Sequence, residues 1–428
     1  MNAGMWAWIK ISSKIELYDE TTKYHYLYPI VNKYIKKLYA IGNKEERWIV
    51  GLMSGTSMDG LDIALCHIIG SGNTTALEVV RFVTKRYPDE FRSRVREVFA
   101  KRSIDQQVLC GLHAWVGQIH GALVNEALRE WGVAHADVDL VASHGQTVFH
   151  APRSLTDNTS YPNSTLQIGD GDHVAVTTGI ITVSDFRQKH VAAGGEGAPL
   201  AAYGDYLLFA DKQQTRILLN IGGIANFTLL PATGSGGGSF ATDVGPGNTL
   251  MDQYMQAKLG MELDSDAGVA ATGAVNDQLL AALLDHPFFG MPFPKTTGPE
   301  LFNLQYLADA QRASATEGLS VNDVMATLCA FSASAVVSAI QQVAYLHGHP
   351  AVYVSGGGLH NPLLMQGIRK GLDDIVALPF DALGLLPDAK EAALFAVLAN
   401  ETVAGDAANA SAIQDSPAVC MGKISFPE

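Results

Sequence analysis

Two segments of the chain share one pattern: an apolar strand, a glycine-rich turn and a second apolar strand. The first segment covers residues 48–68 and the second covers residues 215–231. Apolar runs joined by a short turn rich in Gly, Ser, Asn or Asp are typical of β-hairpins. Further strands that alternate with helical segments follow each hairpin, so the pattern predicts an α/β protein. The repetition indicates two similar domains that face each other across a cleft.

Length and composition agree with two folded domains. The 428 residues exceed the usual size of one domain, and 47% hydrophobic with 17% charged residues exclude a largely disordered protein. The net charge of −14 argues against a protein that binds nucleic acid or an anionic membrane through a basic surface. The four cysteines lie far apart, and no apolar run approaches a membrane span. We therefore expect a cytoplasmic protein with reduced thiols.

The first 47 residues differ in composition from the rest of the chain. They contain six of the 14 tyrosines and two of the five tryptophans, and their net charge is +3, against −17 for the remainder. We interpret residues 1–47 as an N-terminal extension, residues 48–186 as domain I and residues 187–428 as domain II. The extension is either a docking appendage or a stretch translated from a misplaced upstream start codon. We favour the second because nothing in it resembles a site.

The turn of the first hairpin is a candidate phosphate-binding loop. Its small residues would let a ligand approach the backbone closely, and the hydroxyls of Ser54, Thr56 and Ser57 suit phosphate oxygens. Asp59 and Asp62 are suitable ligands for a magnesium ion, directly or through water. The same residue types are also ordinary in tight turns, so this loop by itself does not separate a phosphate site from a simple connector.

Three more glycine-rich loops follow predicted buried strands. Residues 220–226 repeat the first turn in the second half, and residues 243–248 add a carboxylate just before a helix start, where free amides favour anions. Residues 355–362 would let a flat nucleobase or ribose lie against the backbone. Each loop alone is weak evidence of a ligand site. Simple connectors would not be expected to repeat this composition in both halves of the chain, so the repetition favours a shared ligand site.

A charged segment lies between the two repeats, where we expect the cleft. Asp185 ends a strongly apolar strand, a position where a carboxylate is partly desolvated and suited to act as a general base. Arg187, Lys189 and His190 follow and offer positive charge for an acidic substrate or a transferring phosphoryl group. A surface cluster of salt bridges at a strand end is the alternative, and these residues alone do not decide between the two.

Several other kinds of site are not indicated. The chain has no P-loop motif, no hydrolase nucleophile elbow and no complete dinucleotide-binding motif after a strand. His144 and His150 lie near a strand end, and we interpret them as structural residues. The Asp and His residues have no familiar metal-ligand spacing, so we expect no structural metal.

Taken together and in order, the motifs resemble the bacterial 1,6-anhydro-N-acetylmuramic acid kinases over about residues 48–428. The resemblance is carried by GLMSGTSMDGLD, SHGQTVFH, LQIGDGD, SDFRQKHVAAGGEGAPL, NIGGIANFT, DVGPGN, KTTGPELFN, SGGGLHNPLL and KEAALFAVLA. It implies the superfold of sugar kinases, Hsp70 and actin, in which two duplicated actin-like ATPase domains, similar to ribonuclease H, surround a nucleotide cleft. It also implies ATP and Mg²⁺ as cofactors and a homodimer.

The resemblance also implies roles for individual residues. Asp185 matches the catalytic aspartate. The nucleotide would be bound by Gly55, Thr56, Ser57, Met58, Asp59, Gly60, Leu61, Asp62, Gly222, Gly223, Asp243, Gly356 and Gly357. Asp59 and Asp243 would serve the magnesium ion, and Arg187 and Lys295 are candidates for the lactyl carboxylate of the substrate. Pro299 departs from the family pattern, where an arginine is expected, which puts a sugar contact from that side chain in doubt.

The implied reaction couples hydrolysis to phosphoryl transfer. Asp185 would deprotonate a water that opens the anhydro bridge, and O6 would take the γ-phosphoryl group of ATP, giving N-acetylmuramic acid 6-phosphate in peptidoglycan recycling. Two alternatives stay open. An ordinary sugar kinase of the same superfold would phosphorylate a free hydroxyl, and a non-catalytic nucleotide switch similar to actin or Hsp70 would bind ATP without turning over a sugar.

Overall fold

The computed structural model describes residues 31–156, 160–232, 238–411, 413–414 and 416–428. Within them the chain forms β1 Glu46–Ser54, β2 Gly60–Ile69, β3 Ala76–Arg86, β4 Leu140–Ala151, β5 Ser164–Ile168, β6 Thr182–Ser184, β7 Arg216–Ile221, β8 Ile224–Leu230, β9 Phe240–Pro246, β10 Ala351–Ser355, β11 Ala377–Pro379 and β12 Lys423–Ser425. Its α-helices are α1 Lys33–Gly42, α2 Asp89–Arg96, α3 Gln106–Trp131, α4 Gly171–Thr178, α5 Phe186–Ala192, α6 Ala201–Phe209, α7 Thr249–Leu259, α8 Asp277–Leu284, α9 Leu304–Ser314, α10 Val321–His347, α11 Pro362–Leu372 and α12 Lys390–Ala404.

Two sheets share one strand order. The first contains the path β3-β2-β1-β4-β6, and the second is β9-β8-β7-β10-β11. In each, the first three strands form an antiparallel meander and the next two run parallel to the central strand. The first sheet also carries β5 and β12, which pair antiparallel with β4 and β6. The prediction of a duplicated α/β architecture is therefore confirmed.

A layer of two helices, α6 and α12, lies between the sheets. Helix α12 packs against β1, β2 and β4, and α6 packs against α12 and β8. Their buried side chains share one hydrophobic core with residues of both sheets, such as Ile49 of β1 and Leu218 of β7. A Cβ atom on Gly51 of β1 would lie 1.9 Å from the carbonyl oxygen of Ala392, so only glycine permits this close crossing. The outer faces of the sheets are covered by α2 and α3, and by α7 to α11.

The middle and the end of the chain differ from the sequence-based expectation. Helix α6 falls in a passage that looks like a glycine-rich connector. The Lys and Glu at the start of helix α12 are typical of a surface helix, but residues 392–401 are all buried, because β1, β2 and β4 lie against the helix and α1 and α6 also pack on it. Together with β12, it belongs to the predicted domain II range yet lies against the first sheet.

Helix α10 is long and apolar enough to cross a membrane by length and composition alone. In this fold, 72% of its most apolar window is buried inside the protein. We call the parts of the fold built on the first and second sheets the first and second lobes. The helix packs against α8, α11 and β9 and supplies a large part of the core of the second lobe. Its apolar character is therefore accounted for by packing.

The residues just before β1 belong to the fold. Helix α1 packs against α12, and its Ile41 is 2% exposed within the core shared by both sheets. The buried guanidinium of Arg47 donates hydrogen bonds to the carbonyl oxygens of Ile41, Gly42 and Lys44 and to Oδ1 of Asn400. The predicted boundary at residue 47 thus falls inside β1. Residues 1–30 of the predicted extension lie outside the described residues.

Replacement of Ile41 with alanine tests whether α1 contributes to the folded core. We expect Ile41→Ala to lower the free energy of unfolding by about 2–4 kcal/mol, because it leaves a cavity in a packed core. Tyr39→Ala on the same helix is the matched control, since Tyr39 is 76% exposed. Equal stability of the two variants in chemical denaturation would show that α1 is not docked.

Candidate active site

A cleft of about 930 Å³ brings together loops from both sheets. Its walls include residues of the loop after β1, of the hairpin between β7 and β8, and of the loop after β10. From the predicted set, the lining residues are Gly55, Ser57, Asp59, Gly60, Asp62, Asp243, Lys295 and Gly356. The cleft also receives Asn220, Asn226, Ser355, Lys390 and Glu391. Residues of all four glycine-rich loops that the sequence singled out therefore meet in one place.

The first loop turns sharply between β1 and β2. The amide of Met58 donates to the carbonyl oxygen of Gly55 at 3.2 Å, and Met58 adopts a left-handed conformation with φ of 57°. The side chains of Met58 and Leu61 are buried in the core of the first lobe, so these two residues anchor the loop from behind. Gly55, Ser57 and Asp59 face the cleft and leave backbone and hydroxyl groups for a ligand.

The loops of the second lobe are bonded to one another. The carbonyl oxygen of Gly222 accepts from the amide of Asn248 at 2.9 Å, and that of Gly223 accepts from Gly247 at 2.8 Å. Gly356 has φ of 86°, and a Cβ atom there would lie 2.6 Å from Oδ1 of Asn220, so this position requires glycine. Gly222, Gly223 and Gly357 belong to these loops but are not among the cleft's lining residues.

Two partly buried carboxylates line the cleft. Asp62 accepts a hydrogen bond from the Thr84 hydroxyl at 2.6 Å, and Asp243 accepts one from the amide of Thr297 at 2.8 Å. Burial raises the pKa of both side chains, and the charge of Glu300 raises that of Asp243 further. A bound cation would relieve the cost of burying these charges, and carboxylate oxygens are the ligands that Mg²⁺ prefers. The described residues contain no group of three or more His, Cys, Asp or Glu side chains that could hold a metal ion, so these carboxylates suit a magnesium ion only if phosphate oxygens and water supply its other ligands.

Lys295 is held by the protein itself. Its Nζ donates to the carbonyl oxygens of Phe288 and Phe289, at 2.9 and 3.4 Å, and lies 4.4 Å above the centre of the Phe288 ring. Burial lowers the pKa of its side chain. The backbone of Lys295 also pairs with Thr242 and Asp243, so this residue fixes the loop beside Asp243. Two of the three ammonium hydrogens are therefore used within the protein.

Asp185 leaves the first sheet at the same edge as the first loop. The register pairs Leu52 of β1 with Ser143 of β4, and Ser143 with Ser184 of β6. Asp185 follows directly, in a left-handed conformation with φ of 56° that aspartate tolerates better than most residues. Its carboxylate forms an ion pair with Lys423 of β12. Sequence reasoning missed Lys423 because only the pairing of β12 with β6 brings it here.

Arg187 is largely buried beside the cleft. Its Nε donates to Nε2 of His144 at 3.0 Å, and its Nη1 donates to the carbonyl oxygen of Gly197 at 2.6 Å. Burial lowers the pKa of the guanidinium, and the carboxylate of Glu391 partly opposes this effect. Glu391 lines the cleft at the start of α12, and its pKa is raised by burial and by the charge of Asp62. Glu391 was missed because its segment has the composition of a surface helix.

The buried ring of His144 predicts a pH-dependent contribution to stability. Burial lowers the pKa of His144 to about 3, and the Arg187 guanidinium acts in the same direction. An unfolded histidine titrates near pH 6.5, so this contribution is complete above that pH and is lost as the pH falls toward 3. His144→Gln keeps an acceptor for Arg187 but removes the titration. We expect this variant to lose about 2 kcal/mol less unfolding free energy than the parent between pH 7 and 5; equal losses would contradict it.

Comparisons with known proteins place this site in a family. The sequence model described as anhydro-N-acetylmuramic acid kinase matches residues 47–426. The anhydro-N-acetylmuramic acid kinase of Pseudoalteromonas atlantica is 51% identical over 401 residues, which are 93% of this chain and 100% of that protein. That of Caldanaerobacter subterraneus is 38% identical over 394 residues, which are 91% of this chain and 100% of that protein.

Among solved structures, the activator of the 2-hydroxyisocaproyl-CoA dehydratase from Clostridium difficile is 11% identical, with a TM-score of 0.37. That alignment covers 83% of this chain and 95% of the activator, and at this score it supports no conclusion. The family match and the two relatives span nearly all of the described fold. The chain belongs to the anhydro-N-acetylmuramic acid kinase family.

Proposed function

We propose that this kinase uses ATP and water to convert 1,6-anhydro-N-acetylmuramic acid into N-acetylmuramic acid 6-phosphate. The observation that carries the proposal is the convergence of glycine-rich loops from both lobes on one cleft, with Asp185 at the same edge of the first sheet. The choice of substrate is supported by the relatives, which are named anhydro-N-acetylmuramic acid kinases. The same proposal places the protein in the cytoplasm, in peptidoglycan recycling, as a homodimer that needs neither nucleic acid nor a membrane.

The nucleotide would lie between the two lobes. Amides and hydroxyls of residues 55–59 would receive phosphate oxygens from one side, and the hairpin turn at residues 220–226 would receive them from the other. Ser355 and Gly356 would lie against the adenosine, where the glycine leaves the backbone accessible. Closure of the lobes over the substrates would exclude water that otherwise wastes ATP.

Asp243, with Asp59 or Asp62 of the first loop, would bind the magnesium ion. Phosphate oxygens and water would complete its ligands, because no group of three or more His, Cys, Asp or Glu side chains that could hold a metal ion occurs in the part of the chain that the structure describes. When bound, the ion neutralises charge on the phosphates. The raised pKa values of Asp62 and Asp243 record an electrostatic cost of burial that a cation would remove. Asp59 is exposed, and its Oδ1 lies 3.8 Å from Nη1 of Arg92.

Asp185 would act as the general base. It takes a proton from water, the water oxygen forms a bond to the anomeric carbon, and the bond from that carbon to O6 breaks. The electron pair of that bond stays on O6, which takes the γ-phosphoryl group as ADP departs. Lys423 would keep the Asp185 carboxylate in place through its ion pair. Arg187 and Lys295 are the candidates for the lactyl carboxylate. Each already donates two hydrogen bonds within the protein, Arg187 to His144 and the carbonyl oxygen of Gly197, and Lys295 to the carbonyl oxygens of Phe288 and Phe289.

Asp185→Asn tests the role of the base. Asparagine tolerates the left-handed backbone, so the fold should survive, whereas loss of the base should reduce kcat by at least about 10²–10⁴-fold. The affinity for ATP should stay within about twofold, because Asp185 is not among the lining residues of the nucleotide cleft. Asp172→Asn, at an exposed position of α4, is the matched control. Substantial turnover by Asp185→Asn would exclude this residue as the base.

Asp243→Asn tests the magnesium site. We expect the Mg²⁺ concentration for half-maximal activity to rise by about 10–100-fold, because a charged ligand is lost. Asp252→Asn is the control, since Asp252 is another partly buried carboxylate with a raised pKa but is not among the lining residues of the cleft. The same Mg²⁺ requirement in both variants would remove Asp243 from the site.

Turnover with two sugars, 1,6-anhydro-N-acetylmuramic acid and free N-acetylmuramic acid, separates the alternatives. The proposed kinase consumes ATP with the anhydro sugar and not with free N-acetylmuramic acid. An ordinary sugar kinase would also accept the free sugar. A nucleotide switch would bind ATP and show no sugar-dependent product with either compound.

A further inference from the structure

A chain of buried hydrogen bonds contacts the first glycine-rich loop on the side away from the cleft. Nε2 of His120 lies 2.8 Å from the Tyr87 hydroxyl, which donates to Oγ of Ser54 at 2.9 Å. Ser54 donates in turn to Oε1 of Gln146 at 2.6 Å, and Nε2 of Gln146 donates to the carbonyl oxygen of Gly55 at 3.2 Å. The four side-chain residues are each no more than 4% exposed and lie outside the set that lines the cleft.

The hydrogen bonds run in one direction. The Ser54 proton goes to Gln146, so the hydroxyl proton of Tyr87 goes to Ser54, and His120 must donate from Nε2. This requires a proton on Nε2. Burial lowers the pKa of His120 to about 3, so the ring is neutral and its single proton lies on Nε2 rather than on Nδ1. The carboxamide of Gln146 is thereby oriented with its nitrogen toward the carbonyl of Gly55.

Tyr87 holds the loop at both ends. Its hydroxyl reaches Ser54, the last residue of β1, while its backbone amide donates to the carbonyl oxygen of Asp59 at 3.2 Å, just before β2. Its ring stacks on Phe91 with centroids 3.7 Å apart, and the two rings share a core with the buried Met58 of the loop. Tyr87 follows β3, so it fixes the turn without belonging to it.

We propose that Tyr87 is a positioning residue that holds the first glycine-rich loop in the conformation that receives the phosphates of ATP. This inference rests on the proposed function, because it takes the loop to be a phosphate site. A short turn of small residues has many accessible conformations, and fixing one of them in advance lowers the cost of binding. Without the hydroxyl of Tyr87, a smaller fraction of the protein has the loop in the conformation that binds phosphates. The apparent dissociation constant of MgATP rises by the same factor by which that fraction falls.

Tyr87→Phe removes the hydroxyl and keeps the ring and the backbone amide. We expect the dissociation constant of MgATP, measured by calorimetry without sugar, to rise about tenfold, the factor that matches the loss of about one net hydrogen bond. Ser54→Ala interrupts the same chain, so Ser54→Ala combined with Tyr87→Phe should bind MgATP little worse than either single variant. Additive losses in the double variant would overturn the proposal.

Tyr306→Phe is the matched control. Tyr306 donates to the carbonyl oxygen of Leu283 in the second lobe, so the variant also loses a largely buried hydroxyl, but away from the cleft. We expect it to lose thermal stability while its affinity for MgATP stays the same. A purely structural role of Tyr87 would give this same result for Tyr87→Phe and would overturn the inference. Failure of the parent protein to bind MgATP would instead overturn the proposed function on which the inference rests.

Discussion

The packing of α12 between the two sheets is the constraint on which the remaining structure depends. The helix can approach β1 so closely only because Gly51 has no side chain opposite the carbonyl of Ala392. Alanines at 392, 393, 396 and 399 keep the helix narrow and are fully buried. One core therefore continues from the first sheet through α12 and α6 to the second sheet. Without this shared core, a protein of this length would form two separate cores, and the two sides of the cleft would not be held in one arrangement.

This layer also determines what the cleft contains. The start of α12 brings Lys390 and Glu391 to the cleft, where Lys390 pairs with the buried Asp205 at 2.8 Å. At the other end of α12, Oδ1 of Asn400 accepts a hydrogen bond from Arg47, which also donates to the carbonyl oxygen of Ile41 in α1. Contact between the two lobes excludes water from the partly buried carboxylates at the cleft. Because the charged form of a carboxylate is stabilised by water, this burial raises their pKa values. Under the proposed function, the phosphates of ATP and a magnesium ion would occupy this site.

The sequence predicted what depends on local pattern. The two hairpins and their glycine-rich turns were recognisable because alternation and turn chemistry are encoded in neighbouring residues, and the loops do meet at the cleft. The sequence did not reveal that α12 is buried on both sides, because a helix rich in alanine with Lys and Glu at its start resembles a surface helix. Lys423 beside Asp185, and His120 behind Tyr87, depend on contacts between distant segments. No local signal marks such pairs, since they arise only from strand pairing and helix packing.

Labelled water shows whether ring opening by water is coupled to phosphoryl transfer. The enzyme would be run with ATP, Mg²⁺ and the anhydro sugar in oxygen-18 water, and the sugar phosphate would be analysed before its open-chain form exchanges oxygen with solvent. If water attacks the anomeric carbon, the product carries one heavy oxygen at that carbon and none in the transferred phosphoryl group. A product that carries no heavy oxygen at the anomeric carbon would contradict the proposed coupling, because the bridge would then have opened without attack by water.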